Sequence, residues 1–260
     1  MDYKFIKTEV DNYFLHISLN RPEVHNAMNA EMISELTSAF SPDNIQDNIR
    51  AIVLKGEGKS FCAGADLNYM KGIAEFGFEE NVKDGQRLAG LFRSIYDCPI
   101  PTIAMVHGLA FGGANGLIAG CDIVIAEENT VFAFSEVKLG IAPATIAPFV
   151  IKRIGEFGAY ELMLTGKRFN AIEAGKWKLV NWVCTQEQME LTLKETLKQF
   201  VSSAPNAVKE TKKLIKNILS MDIEEGITLT SNLIAKLRAS DEGQQGMAAF
   251  LEKRKPKWME

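Results

Sequence analysis

The feature that most constrains this chain is the stretch His107-Gly-Leu-Ala-Phe-Gly-Gly-Ala-Asn-Gly-Leu-Ile-Ala-Gly-Cys-Asp122. An apolar run, Thr102 to Val106, precedes it and reads as a buried strand. Gly112 and Gly113 then crowd a turn, where a missing Cβ lets the backbone bend tightly or a ligand come close. Ala114 to Ala119 is small and apolar and reads as a buried helix. A strand-to-helix turn of this kind leaves N–H groups unpaired at the helix start. Such groups can hold a phosphate, stabilise an oxyanion or do no more than close a tight turn, and this stretch alone does not choose among the three.

A second stretch, Lys59-Ser-Phe-Cys-Ala-Gly-Ala-Asp-Leu67, follows another apolar strand, Ala51 to Leu54. It too sets small residues at a strand end, with Asp66 where a helix would begin. Two such turns could each give one N–H to the same oxygen. With both turns in hand, the chain resembles the crotonase superfamily, also called the enoyl-CoA hydratase/isomerase family. The likeness runs from Asn20-Arg-Pro-Glu-Val-His-Asn-Ala-Met28 through both turns to Ser135-Glu-Val-Lys-Leu-Gly140 and into a helical C-terminal third. It implies an α/β fold, a crotonase-like spiral of repeated β-β-α units with a helical C-terminal region. It also implies that the N–H groups of Ala65 and Gly113 form the oxyanion hole. Residues 1–200 would form the spiral core with the acyl-CoA site, and 201–260 a helical trimerisation region.

The totals narrow the classes. Hydrophobic residues make up 47% and charged residues 24%, the balance of a soluble globular protein. A net charge of −4 gives no basic bias toward nucleic acid. Cys62, Cys98, Cys121 and Cys184 have no Cys-x-x-Cys spacing and read as free thiols in a reducing compartment. Three dispersed histidines complete a set with no metal-ligand spacing. Residues 1–20 alternate and carry charges, unlike a signal peptide, and no apolar run is long enough for a membrane span. The expectation is a cytoplasmic protein that binds neither nucleic acid nor membrane.

Read in order, Tyr3 to Val10 and Tyr13 to Leu19 alternate about Asp11-Asn12, a hairpin with His16 on a strand face. Asn29 is placed to cap a helix through Phe40 that carries Met32, Ile33, Leu36 and Phe40 on one face; Asn26-Ala27 reads as the start of that helix, and the resemblance implies that the pair lines the pocket. Ile45 to Ile49 reads as a short polar helix or turn. Helices are expected over Asn68–Glu75 and Glu79–Tyr96, the latter with Leu88, Leu91, Phe92 and Ile95 as its core stripe. Strands follow at Ile123–Ala126 and Val131–Phe134, the second delivering Ser135-Glu136. Ala159–Thr165 and Ala171–Lys178 read as helices and Val180–Val183 as a short strand or extended link. Four helices close the chain: Glu187–Ser202, Ala207–Leu219, Ile223–Arg238 and Glu242–Lys253.

Hydration of an α,β-unsaturated thioester needs charge stabilised on the carbonyl oxygen, water deprotonated for attack at the β-carbon, and a proton at the α-carbon. The resemblance assigns the acid/base role to Glu136. Two-glutamate hydratases carry a second glutamate where this chain has Gly116. One carboxylate suffices to move a proton between two carbons, which fits a Δ3-Δ2 enoyl-CoA isomerase. Loss of the other vacates volume and charge, which suits a branched or carboxylated acyl group. Ala110 to Ile118 and Ser135 to Phe149 look like bacterial methylglutaconyl-CoA hydratases, in which a glycine also stands at this position. The favoured expectation is therefore a hydro-lyase for a branched, 3-methylglutaconyl-like 2-enoyl-CoA, with the isomerase as the alternative. A third reading is an acyl-CoA- or RNA-binding scaffold with decayed chemistry. The resemblance implies Ala27, Ala63, Asp66, Leu67, Gly112, Gly116 and Leu139 as substrate-binding residues. The backbone of Ala63–Leu67 would meet coenzyme A, and Lys253-Arg-Lys-Pro-Lys257 could pair with its phosphates or be a solvated charge run. No cofactor is expected beyond the coenzyme A of the substrate, and the assembly expected is a homotrimer or a dimer of trimers.

Overall fold

The structure is a computed structural model, and it describes residues 3–259. The hairpin forms from β1 (Ile6–Asp11) and β2 (Phe14–Leu19), antiparallel, with Asn12 supplying the positive φ of the turn. His16 sits on β2 opposite Glu9, and burial lowers its pKa as expected for a strand-face histidine. From β2 onward the sheet is parallel: β3 (Ala51–Gly56), β4 (Thr102–Val106), β6 (Ile123–Glu127) and β9 (Trp182–Cys184). A smaller second sheet contains β5 (Leu109–Phe111), β7 (Val131–Ala133) and β8 (Arg168–Asn170). β5 lies inside the glycine-rich stretch and β8 has a polar residue on each side of Phe169, so neither stands out as the bounded apolar run that revealed the equally short β7, and the sequence reading missed both.

The two sheets give a repeating path. A strand in the large sheet is followed by a short one in the small sheet and then by a helix: β4, β5 and α4 (Ala114–Gly120), then β6, β7 and α5 (Ala147–Thr165). Earlier turns of the spiral reduce the second strand to a single bridge. Met28 bridges to Ala65 before α1 (Ala30–Ala39), and Cys62 bridges to Ala110 before α2 (Leu67–Ile73) and α3 (Phe78–Asp97). The fold is thus the α/β spiral of β-β-α units expected from the sequence. Its significance is positional, because each second-layer segment ends in a turn beside the next.

The helices follow their sequence signals. Asn29 caps α1 by accepting from the Met32 amide, and Met32, Ile33 and Leu36 are buried beneath it. Asn26 and Ala27 precede that helix rather than start it, because Asn26 adopts φ 56° and its buried side chain has a different task. Near residue 45 the short helix is a 3-10 turn over Pro42–Asn44 rather than Ile45–Ile49, since proline favours a helix's first position. The segments around Phe149 and Ala159 are one helix, α5, kinked where Gly155 adopts φ 74°. α6 (Ala171–Lys176), α7 (Gln186–Ser202), α8 (Pro205–Ile218), α9 (Ile223–Ala239) and α10 (Asp241–Leu251) complete the chain. Cys62, Cys98 and Cys121 are buried and Cys184 half-buried, all as free thiols. Among the described residues no helix is long and apolar enough to cross a membrane.

Candidate active site

Three turns meet at the ends of the second-layer segments. The first carries Ala63 to Asp66, the second Gly112 and Gly113, the third Ser135 and Glu136. Their contact is made by backbone. Cys62 donates to the Leu109 carbonyl at 3.0 Å and accepts from the Phe111 amide at 3.1 Å, which ties the first turn to β5. The Gly112 amide donates to the Ala133 carbonyl at 2.9 Å, which ties the second turn to the end of β7. Asn115 reinforces that joint, since its buried amide group donates to the carbonyls of Ala110, Gly112 and Ala133.

The Gly112 turn requires glycine. Its φ is +52°, and a Cβ there would stand 3.4 Å from the Glu136 Oε1 atom. The Glu136 carboxyl therefore lies against the second turn. Its Oε2 atom is buried and has no hydrogen-bond partner among the described residues. Burial pushes the Glu136 carboxyl above the usual carboxylate range. The amides of Ala65 and Gly113 likewise donate to no group among the described residues. Met28 links these two positions, because it bridges to Ala65 and its Cε lies 2.9 Å from where a Gly113 Cβ would be. An unused buried carboxylate and two unused amides at adjoining turns are polar groups without a native partner, the usual mark of a place built for a ligand.

The Asp66 side chain is engaged within the protein itself. Its carboxylate caps α2 by accepting from the Asn68 and Tyr69 amides, and it pairs with Arg21 Nη2 at 2.9 Å. Burial alone would raise its pKa, but the Tyr69 and Asn68 amides and the Arg21 guanidinium hold it below the usual carboxylate range. Arg21 also donates to the Ala27 carbonyl, and Asn26 donates to the carbonyls of Glu57 and Ser60 while accepting from the Arg21 amide. This network fixes residues 21–28 against the first turn. Arg21 and Asn115 were not singled out in the sequence as builders of the site, whereas Asn26 was expected to line it. A polar residue inside an otherwise apolar or glycine-rich stretch was the available signal.

Gly116 is corrected by the structure. The expectation was that its missing side chain leaves room beside the substrate. A Cβ on residue 116 would lie 2.7 Å from Phe92 Cε1, 2.7 Å from Phe92 Cζ and 2.7 Å from Ile146 Cγ2. The space is filled by the Phe92 ring and Ile146, both buried. Ala27 is buried, Ala63 and Gly112 are half-buried, and Leu67 and Leu139 are 76% and 60% exposed at the rim. In the C-terminal basic run, Arg254 already pairs with Glu252 at 2.6 Å. Among the described residues no three metal-ligating side chains converge.

A β-β-α spiral with paired amides and a carboxylate at its second-layer turns defines a class of fold, that of the crotonases. The model of the family described as enoyl-CoA hydratase/isomerase matches residues 9–260. The AtuE protein of Pseudomonas aeruginosa has a solved structure with a TM-score of 0.95 to this one, 34% identity, and coverage of 99% of this chain and 100% of that one. A mevalonyl-coenzyme A hydratase of Aspergillus fumigatus is 34% identical over 95% of this chain and 91% of its own. A short-chain-enoyl-CoA hydratase of Clostridium acetobutylicum is 33% identical over 92% of this chain and 91% of its own. The chain belongs to the enoyl-CoA hydratase/isomerase family of enzymes.

Proposed function

We propose that this enzyme adds water across the double bond of a 2-enoyl-CoA thioester, with a 3-branched acyl group of the 3-methylglutaconyl type preferred. The observation that carries the reading is the set of three unused polar groups: the Ala65 and Gly113 amides and the buried Glu136 carboxyl. The thioester oxygen accepts from both amides, each worth roughly 3–4 kcal/mol at the transition state by protease precedent. Ionised Glu136 takes a proton from water as the oxygen bonds to the β-carbon and the π electrons move onto the thioester as an enolate. Glu136, now protonated, returns that proton to the α-carbon. One carboxylate thus serves both steps.

The branched preference is supported by the apolar surroundings. Phe92, Ile146 and Met28, all buried, fill the space beside Gly113 and Gly116, so that a second carboxylate would have no room there. A relative named for mevalonyl-coenzyme A, a 3-methyl acyl thioester, fits that preference, while a relative of similar identity is named for short-chain enoyl-CoA. The single carboxylate also suits a Δ3-Δ2 isomerase, which needs no water. Coenzyme A would run along the backbone of Ala63–Leu67, with Lys253–Lys257 near its phosphates. The assembly proposed is a homotrimer or a dimer of trimers, through the helices after residue 200.

The test is a panel of crotonyl-CoA, 3-methylglutaconyl-CoA and a 3-enoyl-CoA, with products weighed by mass spectrometry. Gain of one water identifies the hydratase, and a moved double bond at constant mass identifies the isomerase. Glu136→Gln should retain acyl-CoA binding and lose about 10²–10⁴-fold in turnover. Near-normal turnover in that variant overturns the assignment.

A further inference from the structure

We propose that Asn115 is the positioning residue of this site, the side chain that fixes the spacing between the Glu136 carboxyl and the Gly113 amide. It rests on the hydratase reading of those two groups and adds to it the residue that holds them in register. Asn115 carries the only polar side chain on α4 and is fully buried. The Gly112 turn and the Glu136 turn follow different strands, and the β5–β7 ladder that joins them ends at Phe111 opposite Ala133. Past that end, the Ala133 carbonyl accepts from the Gly112 amide at 2.9 Å and from Asn115 Nδ2 at 2.9 Å. Gly113 follows Gly112 directly, and Glu136 lies three residues after Ala133. Asn115 therefore grips both turns at their last joined point before the two reactive groups.

The donor side of this amide is crowded and its acceptor side is idle. Asn115 Nδ2 meets the carbonyls of Ala110 at 3.3 Å, Gly112 at 3.2 Å and Ala133 at 2.9 Å, so three acceptors share two hydrogens. The shortest of the three bonds is the one that crosses between the turns. Oδ1 is buried and has no hydrogen-bond partner among the described residues, a desolvation cost with no return. The Gly112 carbonyl also accepts from the Asn115 backbone amide at 2.9 Å, so it does not depend on the side chain. An apolar residue at 115 would avoid the cost at Oδ1. What asparagine adds is the second hold on the Ala133 carbonyl, and with it the placement of the turn that follows. Glu136 is exposed to any slack there. A Cβ on Gly112 would lie 3.4 Å from its Oε1 atom, and its Oε2 atom has no partner, so the carboxyl takes its position from the turn that carries it.

The test is Asn115→Ala, with Asn115→Ser as a second variant and Lys212→Met as a control outside the turns. Serine keeps a donor for the Gly112 carbonyl three residues back but is too short to reach Ala133. Lys212 donates to the Ile100 carbonyl and to Asp122, so its loss loosens α8 and leaves both turns bonded as they are. Sites are counted by titration with butyryl-CoA, which has no double bond to react, and kcat is expressed per site. Both Asn115 variants should lose about tenfold to 10²-fold in kcat, the effect of moving a reacting group by about 1 Å, with KM within about threefold of wild type. Burial holds the Glu136 carboxyl above the usual carboxylate range, and a loosened turn admits water to it. The acid limb of kcat/KM should therefore move to lower pH, which a fraction of unfolded enzyme could not cause. Lys212→Met should lower the urea midpoint and keep kcat. A kcat per site within about twofold of wild type in folded Asn115→Ala overturns the proposal, as does an acid limb that stays in place or an equal loss of kcat in Lys212→Met. If Asn115→Ala does not fold, Asn115→Ser decides by the same readings. Failure of the hydratase reading is separate: it shows in the wild type as product without added water, and kcat is then compared for the isomerisation, which uses the same two groups.

Discussion

Helices α4 and α9 are instructive side by side. All seven residues of α4 are buried, and none is charged. Among the seventeen residues of α9 only Gly226 is buried, and Glu224, Glu225, Lys236 and Arg238 stand at its ends. The first region is enclosed by its own chain, and its precision comes from close backbone approach through small residues. The second is held by the Asp222 cap and by packing against α8 and α10, and the two helices α9 and α10 leave Ile223, Ile227, Phe250 and Leu251 uncovered. A cavity of about 670 Å³ lies between α4 and α8, with Phe149, Phe200, Val208 and Ile215 in its lining. The difference shows where shape is set by contacts within the chain, and where apolar surface is left over for something else.

The comparison breaks most visibly at Asp66. Asp66→Ala removes the α2 cap and leaves the Arg21 guanidinium without its carboxylate in a mostly buried site. The expected loss is about 3–5 kcal/mol, read from the urea midpoint. Because Asp66 follows Ala65 directly, turnover should fall as the first turn loosens. The matching change in the outer region is Lys212→Met. Lys212 Nζ donates to the Ile100 carbonyl at 2.8 Å and to Asp122 Oδ2 at 2.5 Å, and so pins α8 to the start of β4. Asp122 keeps its bonds from the Thr102 amide and hydroxyl, so it is not orphaned. The expected loss is smaller, about 1–2 kcal/mol in the same measurement. An equal loss at the two positions would mean that the regions do not differ as described.

The same division decides what the sequence could reveal. The hairpin, the α1 cap at Asn29 and the α2 cap at Asp66 were legible because each rests on local chemistry, an alternating pattern or a side chain that accepts from amides two or three residues on. The three turns were legible as small-residue clusters at strand ends, and the resemblance supplied their order. Phe92 was legible only as one member of a core stripe, and Gly116 as a vacancy. That each fills the other's space depends on the height at which α3 rests on α4, which no local pattern encodes. β5 and β8 were hidden because, unlike the equally short β7, neither is a bounded apolar run: β5 sits within the glycine-rich stretch and β8 is Arg-Phe-Asn.

Glu136 is the exception inside the enclosed region, a carboxyl whose Oε2 atom is kept there without a partner. Because burial raises its pKa, the folded state is favoured while the group is protonated, and that advantage is lost as pH rises through the raised value. Glu136→Gln has no such loss. The variant and the wild type should have similar stability near pH 4, and the variant should become more stable by about 1 kcal/mol near pH 8. Urea midpoints at the two pH values measure this, and a variant that is less stable at pH 8 would show that Glu136 has an unrecognised partner. In the wild type, kcat/KM should rise with pH along an acid limb displaced above the ordinary glutamate range.

The smallest expected change tests the outer region directly. Phe250 is 83% exposed and Leu251 is 78% exposed on α10, so neither contributes much to the stability of a single chain. Phe250→Ser with Leu251→Ser should leave the urea midpoint of dilute protein within about 0.5 kcal/mol of wild type. If these faces meet a second copy of the chain, the same variant should fall from the mass of a trimer toward that of a monomer in light scattering at micromolar concentration. The two readings must separate for the comparison to hold, with stability unmoved and association lost. A midpoint that falls together with the mass would mean that the C-terminal helices depend on their partner to fold at all. A wild-type protein that already scatters as a monomer would make those faces solvent surface and leave the core alone to account for the fold.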